Sequence, residues 1–161
     1  MYVSYSEMPE NSRVWVYQAS RSLSASEQKI IGDNCVLFLE QWTKHGSDLK
    51  ASFTLDYNQF LTLVVDESFM GVSGCSIDAS VRFVKELGKA LEVDFMDKMK
   101  IAVKEEGNIV LYSMKTFKDA VVENQINSKA IVFNNLVQTK KAKIDQWEVV
   151  AADSWHKRYF N

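Results

Sequence analysis

Proline occurs once, at Pro9, and cysteine and histidine twice each in 161 residues. Cys35 and Cys75 cannot build a disulfide framework and are not in C-x-x-C spacing, which excludes a thiol-stapled scaffold and a cysteine-rich metal domain. Long apolar runs are missing too. No stretch approaches the ~18 residues of a membrane span, and the start MYVSYSEMPENSRVW has neither the basic segment, the apolar core nor the small-residue cleavage site of a secretory leader. These absences predict a cytoplasmic protein with no membrane segment, no metal and no cofactor. An excess of one charge is also lacking. With 19 basic and 21 acidic residues the formal charge is -2, so no general field draws nucleic acid or an anionic membrane, and nucleic acid is not an expected partner.

What the chain does have is an ordinary globular balance, 47% hydrophobic and 25% charged, enough for one good core. Residues 1–12 show neither helical nor strand periodicity and are expected to form a flexible arm. Residues 13–18 carry β-branched and aromatic side chains on both faces, as a strand covered on both sides requires. Ser24 followed by Glu27 is a capping-box pattern. From there Ile31, Cys35, Phe38, Leu39 and Trp42 recur at spacings of three and four, predicting a helix over 24–45 that closes at His45-Gly46.

Residues 50–57 alternate apolar and polar, and Phe60–Val65 is apolar throughout, so the two predict an antiparallel hairpin turning at Asn58-Gln59, its second strand central. A helix beginning near Ser76 puts Ile77, Val81, Val84, Leu87 and Leu91 on one face and Cys75, Asp78, Arg82, Lys85, Glu86 and Lys89 on the other. Residues 98–104 and 109–112 form a second hairpin. Ser113 and Thr139 then cap short helices on either side of a strand-like segment, 130–137.

This order, β-α-β-β-α-β, predicts an α+β fold, a ferredoxin-like sandwich over residues 13–112 with an extra edge strand, and a C-terminal α/β extension over 113–161. The chemistry-bearing stretch is the turn Gly71-Val72-Ser73-Gly74-Cys75-Ser76, which leads into a helix N-terminus where unpaired amides and the positive dipole end favour an anion. Gly74, Cys75, Ser76, Asp78 and Arg82 are the candidate ligand-binding residues. The turn is not a Walker loop, because its glycines are too close and no lysine follows. Nor is it a phosphatase loop, since six residues separate Cys75 from Arg82 where five are needed. Capping by Ser73 or Ser76 explains the same residues without a ligand.

A thiol at a helix N-terminus can become nucleophilic, and His45 or His156 could serve as its base. The plainer role for His45 is a cation at a helix C-terminus. Asp56, Asp66 and Glu67 fall on or just after adjacent strands, where a pair of carboxylates can hold a metal or share a proton, but no further ligand has a fitting spacing. Lys140, Lys141, Lys143, Lys157 and Arg158 are interleaved with Trp147, Trp155 and Tyr159, a combination that can bind single-stranded nucleic acid but is diluted here by acidic residues. Asn134-Asn135 reads as a turn.

The runs KHGSDLKASF (44–53), SGCSIDASVRFVKEL (73–87), VFNNLVQTKKAKIDQW (132–147) and DSWHKRYF (153–160) resemble a family of short, uncharacterised bacterial proteins often labelled ABC transporter ATPase. The resemblance covers nearly the whole chain. It implies family membership and singles out His45, Gly46, Cys75, Ser76, Asp78, Trp155 and His156 as motif positions without assigned roles. The label implies ATP hydrolysis, yet the sequence has no Walker lysine and no transporter signature, and it is too short for that ATPase domain. The expected function is therefore a small cytoplasmic binding or regulatory module, with a site for a small anionic ligand or a protein partner at residues 71–78. The alternative is a cysteine-dependent enzyme with Cys75 as nucleophile.

Overall fold

A computed structural model of the chain describes residues 1–68 and 71–161. In chain order these form β1 (Arg13–Gln18), α1 (Ala25–Gln41), β2 (Thr43–Lys44), β3 (Ser47–Asp48), β4 (Ala51–Asp56), β5 (Phe60–Val65), α2 (Gly74–Leu91), β6 (Lys100–Glu105), β7 (Asn108–Ser113), α3 (Met114–Val122), β8 (Ile131–Phe133), α4 (Lys140–Gln146) and β9 (Glu148–Val150). Short 3-10 turns cover Tyr5–Glu7, Ala151–Asp153 and Trp155–Phe160. The class is α+β, as the periodicities predict.

Two antiparallel sheets carry the fold, ordered β1-β5-β4 and β7-β6-β8-β9. Helices α1 and α2 cover one face of the first sheet, where Ile31, Cys35, Val84 and Leu87 pack on Tyr17, Leu61 and Leu63. The other face of that sheet, through Val14, Phe60 and Val64, meets Ala102 and Phe133 of the second sheet. The far face of the second sheet packs Ile101, Val103 and Val132 against Phe117 of α3 and the C-terminal aromatics. The result is four layers, helix, sheet, sheet and helix. This stacking is why all six residues of β5 are buried, which its unbroken apolar run predicts.

The ferredoxin-like order would place the strand after the second helix beside β1. Instead β6 lies inside the second sheet, between β7 and β8, and the outer edge of β1 is taken by the approach to α4. There Arg13 bridges Thr139 and Val14 N–H donates to the Gln138 carbonyl at 3.0 Å. Because the second sheet draws strands from both sides of residue 112, that position is not a division in the packing. Residues 1–12, expected as a loose arm, lie against the body: Tyr2 bridges Ala51, and Met8 and Ser12 are buried.

Local chemistry accounts for most boundaries and corrects three of them. Ser24 and Glu27 form the capping box of α1, but the helix ends at Gln41, and 43–48 is a tight hairpin whose turn is His45-Gly46. Both residues have positive φ, 49° and 80°, the two left-handed positions of a hairpin turn. The turn of the next hairpin is Tyr57-Asn58, at φ 54° each, one residue earlier than expected, with Gln59 N–H returning to the Asp56 carbonyl. The buried face of α2 holds Ser76, Ser80, Val84, Leu87 and Gly88, so Ile77, Val81 and Leu91 are only half-buried. Gly88 fixes this rotation: a Cβ there would lie 2.5 Å from the Val93 carbonyl oxygen.

Candidate functional site

The sequence folds three separate pieces toward one cleft of about 370 Å³, formed by the end of α1, the β2–β3 hairpin and the start of α2. Phe38, Gln41 and Trp42 come from the end of α1, Thr43 and His45 from the hairpin, and Ser73, Cys75, Ser76 and Ala79 from the α2 start. Of the candidate residues, His45, Cys75 and Ser76 are brought together. Gly74, Asp78 and Arg82 are exposed on α2 and do not line the cleft.

Hydrogen bonds explain why these pieces meet. Trp42 Nε1–H donates to the Ser76 carbonyl at 2.9 Å. Ser76 Oγ donates to the Thr43 carbonyl at 2.9 Å. With its one proton so engaged, Ser76 Oγ must accept from Ser73 Oγ at 2.8 Å, while Ser73 Oγ accepts from Ser76 N–H as the helix cap. The serines are thus positioning residues. The cap predicted for Ser73 or Ser76 belongs to Ser73.

The floor of the cleft is aromatic. Phe38 lies 5.5 Å from Trp42 and stacks on Phe83 at 4.3 Å. Above this floor Cys75 is an exposed free thiol, and His45 is exposed at the hairpin tip. Among the described residues no hydrogen bond joins the Cys75 thiol to either histidine. The leading amides of α2, those of Gly74 and Cys75, have no intrahelical partner by construction and sit at the positive dipole end. Helix α2 carries no acidic residue in its first turn to occupy that end. The arrangement offers a half-buried aromatic wall at Phe38 beside the start of α2, with a thiol and an imidazole at the mouth.

His156 is elsewhere. It is fully buried among the aromatics of the fourth layer, stacked on Trp155 at 3.8 Å, with Nδ1 2.6 Å from Ser154 Oγ. Burial, assisted by the Arg158 charge, lowers its pKa to about 4, which keeps it neutral. It cannot serve Cys75. Cys35 is packed against α2, and burial pushes its thiol up to about 12.

Two cations of the basic C-terminal stretch turn inward, while Lys141, Lys157 and Arg158 stay exposed. Lys140 Nζ donates to the carbonyls of Tyr5 and Met8 at 2.9 and 2.6 Å. Lys143 Nζ donates to Asp56 Oδ2 at 2.8 Å and lies 4.5 Å from the centre of the Trp147 ring. These two cations tie α4 to the arm and to β4, and so are not available to phosphates. Asp66 accepts from Ser68 N–H, and Glu67 from Val72 N–H, so the three strand-end carboxylates have separate partners. Among the described residues no group of three or more His, Cys, Asp or Glu is placed to hold a metal ion, and no helix is long and apolar enough to cross a membrane.

Sequence reasoning missed Phe38, Trp42 and Thr43 as cleft residues. Phe38 and Trp42 belong to the apolar stripe of α1 and pack in the core as well. The available signal was His45-Gly46 flanked by short polar pairs, a two-residue hairpin pattern that folds the chain back over the helix end. Comparison with protein-family models, with curated proteins and with solved structures found no match.

Proposed function

We propose that the chain is a small cytoplasmic binding module whose cleft takes a compact ligand with an anionic group and a planar apolar part. The observation that carries this reading is the convergence of His45, Cys75 and Ser76 over the Phe38–Trp42 floor from segments 30 residues apart in sequence. The anionic group faces the Cys75 amide at the start of α2, and the planar part packs against the half-buried Phe38 ring. The likeness to the short bacterial proteins belongs to this reading as to family only, and ATP hydrolysis is no part of it.

The test is protection of a thiol. Iodoacetamide labelling of Cys75, followed by mass spectrometry, is expected to slow several-fold in phenyl phosphate and to be unaffected by the same concentration of sodium chloride. Equal labelling in both solutions contradicts the reading.

A second reading, a cysteine-dependent enzyme with Cys75 as nucleophile and His45 as base, is favoured by the shared cleft of these two residues. It requires that the pH profile of Cys75 alkylation change in His45→Ala. Superimposable profiles in the two proteins remove it.

A further inference from the structure

The sheet edges of this molecule are not treated alike. The edge of β1 is bonded to residues 138–140, with Lys140 N–H also donating to the Ser12 carbonyl at 2.8 Å. The edge of β4 is met by the arm at Ala51, where Val3 N–H donates to the Ala51 carbonyl at 2.9 Å and Ala51 N–H to the Met1 carbonyl at 3.0 Å, and the strand ends in the charged Asp56. The edge strand β9 is three residues long and turns at once into a 3-10 turn. Edge β7 is different. It is six residues long, Asn-Ile-Val-Leu-Tyr-Ser, in unbroken register with β6, and it contains no charge, no proline and no bulge, the devices that normally blunt an open edge. Among the described residues no other segment bonds to its outer side.

The register says which groups point outward. Glu106-Gly107, at φ 51° and 81°, is a two-residue hairpin turn closed by the pair Glu105–Asn108. That closing pair is hydrogen-bonded, so alternation puts the bonds to β6 on Val110 and Tyr112. The N–H and C=O groups of Ile109 and Leu111 therefore face away from β6. Their side chains are half-buried, so the backbone is presented on a firm strand.

Charge selects the occupant. The turn before β7 begins with Glu106, which is exposed and has no ion pair among the described residues. Immediately after β7, the first turn of α3 carries Lys115 and no acid; Lys115 pairs with Asp119 on its own helix at 2.7 Å, a solvent-exposed i,i+4 bridge worth little, so its ammonium is still free to reach a second carboxylate. Two copies of β7 paired antiparallel about Leu111 set Ile109 of each against Ser113 of the other. The same two-fold lays the Glu106 turn of each copy beside the Lys115 end of its mate, so opposite charges meet at both ends. We infer that β7 is the pairing edge for a second copy of this chain, joining the second sheets of two molecules into one continuous sheet.

Sedimentation equilibrium from roughly 1 µM to 1 mM spans the affinities such an edge can give. The mass is expected to rise from one chain to two. Glu106→Lys and Lys115→Glu, both at exposed positions, are each expected to weaken association about tenfold with unchanged far-UV spectra, and the double exchange to restore it. A chain that stays monomeric throughout, leaving this edge to some other strand, overturns the inference. So does a dimer indifferent to both single exchanges.

Discussion

Trp42 Nε1 lies 2.9 Å from the carbonyl oxygen of Ser76, a bond across 34 positions that fixes the end of α1 against the start of α2. Trp42 is 2% exposed, so water cannot replace the indole as donor. Trp42→Phe keeps the aromatic floor but leaves that carbonyl without its partner, and is expected to cost about 1–3 kcal/mol in urea unfolding. Trp15→Phe, at a half-buried residue with its ring centre 6.2 Å from that of Trp42, is expected to cost less. Equal costs would show that the hydrogen bond contributes nothing.

The inward lysines give a second test. Lys143→Ala leaves Asp56 with the Thr54 hydroxyl in place of its cation in a partly shielded site and removes the stem packed beside Trp147, an expected loss of about 2 kcal/mol. Lys141 sits on the same short helix in an exposed i,i+4 pair with Asp145. Lys141→Ala should stay within about 0.5 kcal/mol. Any binding of single-stranded DNA should be insensitive to Lys143→Ala in its salt slope, since this cation is engaged inside the fold.

His156 makes stability depend on pH in a defined window. Its folded pKa, about 4, lies below the ordinary 6.5, so between these values the unfolded chain binds the extra proton and stability falls as pH falls. The contribution is complete above pH 6.5 and lost by about pH 4. It amounts to about 3 kcal/mol as an upper figure. Carboxylates titrate in the same range, so the quantity to measure is the difference between wild type and His156→Gln. That difference should shrink on acidification, and a constant difference from pH 7 to 4 contradicts a neutral buried imidazole.

Gly88→Ala puts a methyl group against the backbone of Val93 at 2.5 Å, where no flexible side chain can yield. A loss of about 1–3 kcal/mol is expected by thermal unfolding. Gly74→Ala has open space around it and serves as the control.

These cases show what periodicity could and could not reveal. The capping box at Ser24 and Glu27, the hairpins and the doubly buried β5 follow from local patterns, because each is decided by neighbours in sequence. The placement of β6 is decided by competition for the edge of β1, which residues 138–140 win, and no local pattern records that contest. The same holds for the site. Cys75 and Ser76 at a helix start were visible, but His45 reached them only because α1 stops at Gln41 and the chain doubles back. Lys140 and Lys143 stand in a basic run interleaved with tryptophans, and nothing local shows that they turn inward, because their partners, the Tyr5 and Met8 carbonyls and Asp56, are far away in sequence.

A heteronuclear NMR titration with phenyl phosphate decides whether the cleft shared by His45, Trp42 and Cys75 takes a ligand. Saturable shifts are expected for the His45 and Cys75 amides and the Trp42 indole N–H, with His156 unmoved in its separate layer. Absent shifts, or shifts that spread equally to His156, overturn the proposed site.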